Sequence, residues 1–526
     1  MYRPITAKDT VIVRGKHLYK HDGSLFTIRG IAFPTPPDGV TYSAKSWLDI
    51  LKQLRDFDLQ FNTVRLYRMD PLKVDYSEFI NGAAALGIYI IVPLTAVSGD
   101  GVLDRTLAAP KCYKKSLFNY GANALKEFLK YPNVIAYFVV IYTFPFNVIA
   151  LNSGGMVGNE VMNDEKSWLA APCVRSYARN LKLFMDELVK EKKAKRTLPL
   201  IYAAQDSSVL GGAEMDSDTI VKLTADYLTC AETGKGTLVE DVAGNKPVTG
   251  MQHFTENRFG MSPIDIFGVN IESWCSSTQD FYNNTDGTPG AYYSLWKALQ
   301  DTPIPVIFSE MGCPHKLFDR DDPLHKTAEG TRDWAQAKYV INEMKDSWSG
   351  FIAYTYDGGG NDFNMFQGGP WDGRKILEPT KDFWNFKDQL AKLPPDDMPT
   401  LLQKKEHDIA LPRRCSAVES DFISCCDLRL FNDDIIHSFR FSEIMPVDVE
   451  VNDSVRQTED VSSSEITESI YTEFSSAGLV FMLFIALYMM QRWYATSKQS
   501  SLRERSKLRG ENGVGKTQYM SIQRPQ

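Results

Sequence analysis

The sequence predicts an α/β chain: a (β/α)8 TIM barrel followed by a C-terminal transmembrane helix. Three observations carry this. Apolar or β-branched runs alternate with helix-like stretches over 26–356, the pattern of a parallel sheet. The strand-like runs number eight, which suits a closed barrel better than the runner-up, a doubly wound open sheet. No GxGxxG or GxxxxGK[ST] follows any of them, so a nucleotide fold lacks its usual signature.

The elements come in order. Residues 11–30 read as a hairpin around Asp22-Gly23. Strands follow at 26–33, 62–67, 88–94, 133–140, 198–203, 265–271, 304–309 and 350–356. Helices fall between them at 45–58, 76–86, 116–130, 172–193, 217–229, 291–300 and 331–346. The rhythm stops near residue 395, so residues 1–395 are expected to be the barrel. A small cysteine-containing appendage (396–450), a polar acidic stalk (451–473), a transmembrane helix (474–494) and a basic cytosolic tail (495–526) complete the chain.

The spanning helix rests on "AGLVFMLFIALYMM" at 477–490, uncharged throughout and extended by Phe474 and Trp493-Tyr494 to a bilayer-crossing length. Glutamates precede it and Lys498, Arg503, Arg505, Lys507 and Arg509 follow, which places the barrel on the extracellular or lumenal side. The N-terminal "MYRPITAKDTVIVRGK" has no apolar core, so no signal peptide is visible and a truncated N-terminus is expected. Sequons at Asn283 and Asn452 fit an exported chain. The net charge of −8 argues against a nucleic-acid partner. None of the eight cysteines forms a CxxC pair, so a zinc ribbon is not expected.

Catalytic residues of a barrel lie at the C-terminal ends of its strands. Strand two ends with Arg65 and Tyr67, and strand four leads to Asn159 and Glu160. Strand six ends with Asn270 and Trp274, strand seven with Glu310, and strand eight with Tyr354 and Tyr356. A single glutamate at a strand end is usually a surface or ion-paired residue. Two closing different strands suit a retaining glycosidase, in which one carboxylic acid protonates the leaving oxygen and a carboxylate about 5–5.5 Å away attacks the anomeric carbon. Asn159 would bond the sugar 2-hydroxyl. Arg65 would keep Glu310 ionised, a drier surrounding would keep Glu160 protonated, and the aromatic residues would face sugar rings.

"NTVRLYRMDP", "GNEVMND", "AAPCVRSYARNLKLFM", "LPLIYAAQDSS", "YLTC", "DIFGVNIESWC", "PVIFSEMGC" and "SGFIAYTY" occur in the order of the landmarks of glycoside hydrolase family 72. The chain resembles these β-1,3-glucanosyltransferases of fungal-type cell walls over roughly 11–365. The resemblance implies a clan A barrel that cleaves β-1,3-glucan and transfers the glycosyl group to another glucan, with no metal or other cofactor. It implies Glu160 as acid/base, Glu310 as nucleophile, and a Cys275–Cys313 pair. A plain β-glucan hydrolase and a catalytically impaired glucan-binding membrane receptor are the alternatives. Ala32-Phe33-Pro34 replaces the family's Ala-Tyr-Gln and Pro93-Leu94 its Asp-Leu, both read as lost substrate contacts; the early cysteine pair is absent.

One stretch departs further. NVIA occurs at 133–136 and again at 147–150, and removing 140–157 restores "NVIAYFV-GNEV". The first NVIA is therefore expected to be the strand, and the 18 residues of 140–157 an insertion. Glu160 would then begin far beyond the strand's end, and this chain is expected to be impaired relative to a form lacking the insertion.

Overall fold

The computed structural model describes residues 3–33, 44–67, 69–95, 101–138, 160–162, 167–205, 217–230, 262–272, 281–283, 287–313, 332–356, 363–367 and 378–394, with 413, 415, 417 and 418. The chain divides into two units, Met1–Met445 and Pro446–Gln526, and the second lies outside the described residues. No helix among the described residues is long and apolar enough to cross a membrane. The stretch at 474–494 is not among them.

Three short strands open the chain: β1 (Val11–Arg14), β2 (His17–Lys20) and β3 (Leu25–Phe26), all antiparallel. The single expected hairpin is thus two consecutive turns, with Gly15 and Gly23 at positive φ. Eight strands then close a parallel barrel: β4 (Ile28–Ala32), β5 (Thr63–Arg65), β6 (Tyr89–Pro93), β7 (Val134–Phe138), β8 (Leu200–Gln205), β9 (Ile266–Ile271), β10 (Val306–Met311) and β11 (Trp348–Ala353). Each pairs with its sequence neighbour, and β11 closes on β4. Gly350 is the residue that permits closure. It has φ +120°, and a Cβ there would lie 2.1 Å from the Ile28 carbonyl.

These strands form because both faces of each are covered. Their near-continuous apolar composition is that of parallel strands. Ile28, Ile91, Ile135, Ile201, Ile266, Ile307 and Ile352 fill the barrel interior. Ile31, Val64, Ile90, Tyr137, Phe267 and Phe308 face the helices. Val11, Leu18 and Phe26 of the opening strands pack into the interior cluster, and Tyr89 donates to the Asp9 carbonyl at 2.8 Å.

The helices are α1 (Ala44–Asp56), α2 (Ser77–Ala85), α3 (Lys115–Phe128), α4 (Ala171–Lys190), α5 (Ser217–Thr229), α6 (Ala291–Leu299), α7 (Gln336–Asn342) and α8 (Lys381–Ala391). Pro172 suits the first turn of α4, where its missing N–H removes no helical bond. The predicted helix at 331–346 shrinks to α7. The unpredicted α8 is anchored by Asp382, which pairs with the fully buried Arg332. Arg332 also donates to the carbonyls of Tyr354 and Phe363, at 2.6 and 2.7 Å.

Two disulfides join described residues, Cys112–Cys173 and Cys230–Cys415. The second ties the expected appendage to the end of α5, and Arg413 pairs with Asp226 of that helix at 2.7 Å. Cys313 is also disulfide-bonded. Its expected partner Cys275 lies outside the described residues.

Candidate active site

The mouth of the barrel is built from inward positions at the C-terminal ends of β5, β9 and β10. Arg65 on β5 is fully buried. Its Nη1 donates to the Ser309 carbonyl at 2.6 Å and lies 3.0 Å from Glu310 Oε1. The guanidinium sits 3.9 Å from the Phe138 ring centroid and 4.4 Å from that of Tyr67. Apolar faces thus sandwich the cation, while its fork addresses the carboxylate. The Tyr67 hydroxyl donates to the same Glu310 Oε1 at 3.0 Å. Two donors therefore converge on one oxygen of Glu310.

A bulge in β10 makes this possible. Phe308 pairs with Val269 and Glu310 with Asn270, so Ser309 is an extra residue against β9. A bulge of this kind re-aims side chains. Here it lets Ser309 and Glu310, neighbours in sequence, both reach the site. Ser309 Oγ donates to Asn270 Oδ1 at 2.7 Å, and Asn270 Nδ2 donates to Glu160 Oε1 at 2.8 Å. The first bond orients the amide so that its NH2 faces Glu160. Gly268 leaves the room: a Cβ there would lie 2.6 Å from Ser309 Oγ.

Glu160 is held on its backbone as well. Arg105 Nη1 donates to the Glu160 carbonyl at 3.1 Å, and the Met162 amide donates to the Tyr202 hydroxyl at 3.1 Å. The first NVIA run is the barrel strand, as expected, since β7 begins at Val134. Glu160 nevertheless occupies the site. Glu160 meets Asn270 and Arg105 although it lies well beyond the end of β7, so the chain has re-entered the site by this residue.

Both carboxyls are pushed above their ordinary range, chiefly by burial. Glu310 rises to about 7, with Glu160 adding to the rise and Arg65 and Tyr67 opposing it. Glu160 rises for the same reason, opposed by the Asn270 hydrogen bond, Arg65 and Arg105. Arg65 acts on Glu310 in the expected, lowering direction, but desolvation outweighs the ion pair and the net shift is upward. The two groups feel each other, so their titrations belong to the pair.

Among the predicted site residues, Arg65, Tyr67, Glu160, Asn270 and Glu310 come together. Tyr354 stands beside them, edge-on to Tyr67 at 6.1 Å. Tyr356 does not join them. It is fully buried on the helix side, stacked on Phe366 at 4.5 Å, with its hydroxyl toward Gln53. Phe33 lies in the same outer layer, against Trp47 and Phe79. Phe33 is thus a core residue, and Pro34, where the family's Gln would stand, lies outside the described residues. Asn159 and Trp274 lie outside the described residues. Sequence reasoning missed Ser309, Arg105, Tyr202 and Phe138. Ser309 carried a signal, as a polar residue within the otherwise apolar "VIFS".

Residues 4–394 match the model of a family described as glucanosyltransferase, glycoside hydrolase family 72. The chain belongs to this family. It is 25% identical over 422 residues to a probable 1,3-beta-glucanosyltransferase, GAS3, of Saccharomyces cerevisiae, covering 77% of this chain and 62% of that protein. It is 26% identical over 369 residues to the 1,3-beta-glucanosyltransferase gel2 of Aspergillus fumigatus, covering 69% and 60%. The chain thus spans about three-fifths of the length of these relatives. Saccharomyces cerevisiae Gas2p, solved in complex with laminaritriose and laminaritetraose, shares the fold. Its TM-score is 0.53 at 21% identity, over 77% of this chain and 74% of that one.

Proposed function

We propose that this family 72 chain remodels β-1,3-glucan by retaining transglycosylation, with Glu160 as acid/base and Glu310 as nucleophile. The observation that carries the reading is the continuous set of contacts from Glu160 through Asn270, Ser309 and Arg65 to Glu310. The 1,3-beta-glucanosyltransferase activity for which the relatives are named and the oligosaccharides bound to Gas2p support the substrate class.

The division of roles follows from the donors. Glu310 faces a permanent cation and a phenol, both of which favour its anion. The Glu160 carboxyl accepts its hydrogen bond from a neutral amide, while the Arg65 and Arg105 charges also favour its anion. The acting form of the pair is the one that holds a single proton, on Glu160. Glu160 then protonates the leaving glycosidic oxygen as Glu310 attacks the anomeric carbon, giving a covalent glycosyl-enzyme. The Glu160 carboxylate next takes the proton of an acceptor sugar hydroxyl, whose oxygen displaces Glu310. Asn159 bonds the sugar 2-hydroxyl, and Tyr67, Tyr354 and Trp274 supply ring faces. The same account holds the chain at a membrane through residues 474–494, with the barrel on the extracellular or lumenal side.

The test is incubation of the full chain, in detergent, with a reduced β-1,3-gluco-oligosaccharide, followed by mass analysis. Products longer than the donor, lost in Glu160→Gln, are expected. Shortened products alone would replace transfer by hydrolysis, and no product would refute both.

A further inference from the structure

Glu160 sits some twenty residues beyond the end of β7, yet it meets Asn270. What fixes it lies on its other side. Residues 101–114, between β6 and α3, run beside the segment that follows Glu160. Arg105 donates to the Glu160 carbonyl at 3.1 Å. The Ala109 amide donates to the Leu169 carbonyl at 3.0 Å. Cys112 and Cys173 form a disulfide across 61 residues, joining this loop to the first turn of α4. Val161, Met162 and Trp168 of the tied segment are buried, and Met162 is bonded to Tyr202.

We propose that the 101–114 loop is a clamp that positions Glu160 from its C-terminal side, through Arg105 and the Cys112–Cys173 disulfide, so that catalysis depends on that disulfide remaining oxidised. The disulfide encloses the whole insertion at 140–157. With both ends of that stretch fixed, its length matters little, because the entropy of closing a loop grows only with the logarithm of its length. A form lacking the insertion would tether Glu160 closely to β7 as well, and would depend less on the clamp. Arg105 and the two cysteines are positioning residues here. Their proposed role rests on the acid/base assignment of Glu160.

The test crosses the clamp with the insertion. Cys112→Ser/Cys173→Ser and Arg105→Met are made in the full chain and in a chain lacking 140–157, and transfer kinetics are measured on a reduced β-1,3-gluco-oligosaccharide. A misplacement near 1 Å corresponds to a loss of about a hundredfold. In the full chain, kcat falls by that order with KM nearly unchanged. In the shortened chain the loss is several-fold smaller, and Arg105→Lys recovers part of the Arg105→Met loss. Equal losses in both backgrounds would overturn the clamp, since a general stability defect acts on both alike. Amide exchange at Met162 provides a readout independent of activity: protection is lost when the cysteine pair is removed. Lost protection in a parent that transfers no sugar would uphold the clamp and refute the enzymatic reading. Unchanged protection would overturn the clamp.

Discussion

Replacing Tyr67 by Phe removes one hydroxyl and keeps the ring that packs against Arg65 and Tyr354. The lost bond is the 3.0 Å donation to Glu310 Oε1. Burial pushes Tyr67 well above its ordinary range, so it remains a donor at every pH of interest. A hydrogen bond to a charged group contributes about 1.5–3 kcal/mol. At about 1.4 kcal/mol per pH unit, that is a rise of roughly 1–2 units for Glu310. Glu310 starts near 7. The acid limb of kcat/KM, which reports the first ionisation of the pair and in this account forms the Glu310 anion, therefore moves upward by that amount. Well below the limb the rate falls by about 10–100-fold, and toward pH 9 the deficit shrinks. The assay is transfer to a reduced oligosaccharide between pH 4.5 and 9. A limb that stays in place, with the same loss at every pH, would refute the proposed electrostatic role of Tyr67.

Three other perturbations have defined outcomes. Ser309→Ala frees the Asn270 amide, and the loss of about 1 kcal/mol of orientation lowers kcat by roughly fivefold, measured under the same conditions. Glu160→Gln abolishes transfer but stabilises the fold at high pH. The folded pKa of Glu160 is raised from 4.5, so the parent binds more protons folded than unfolded and loses stability as pH rises above 4.5; thermal melts should show the gap widening in that direction. Asp382→Ala leaves Arg332 as an unpaired buried cation, and urea unfolding should report a loss of about 3–5 kcal/mol.

The barrel was legible because parallel strands buried on both faces are written as apolar runs, and "YIIVP", "VIAYF" and "IFGVNI" are such runs. Arg65, Asn270 and Glu310 were legible because a charged or amide side chain ending such a run must find a partner. The alternation rule then failed where the backbone departs from it. The bulge brings Ser309 into the site beside Glu310, which period-two reading does not anticipate. Beyond β11 the chain turns, and Tyr356 enters the outer layer with Phe33. Arg105 lies in a loop whose path is fixed by a disulfide and by the segment after Glu160, contacts that no local pattern encodes. The acidic Asp382 blurred the apolar period of α8, because its pairing with Arg332 is a tertiary event.

The central claim is that Glu160 and Glu310 form a retaining pair in which Glu310 becomes glycosylated. The most direct test incubates the full chain with an activated 2-deoxy-2-fluoro-β-glucoside, which slows breakdown of the intermediate, and maps the added mass by peptide sequencing. The account predicts one sugar per chain, on Glu310, with none in Glu310→Gln. Label on another residue, or turnover of glucan with no trappable intermediate, would contradict it.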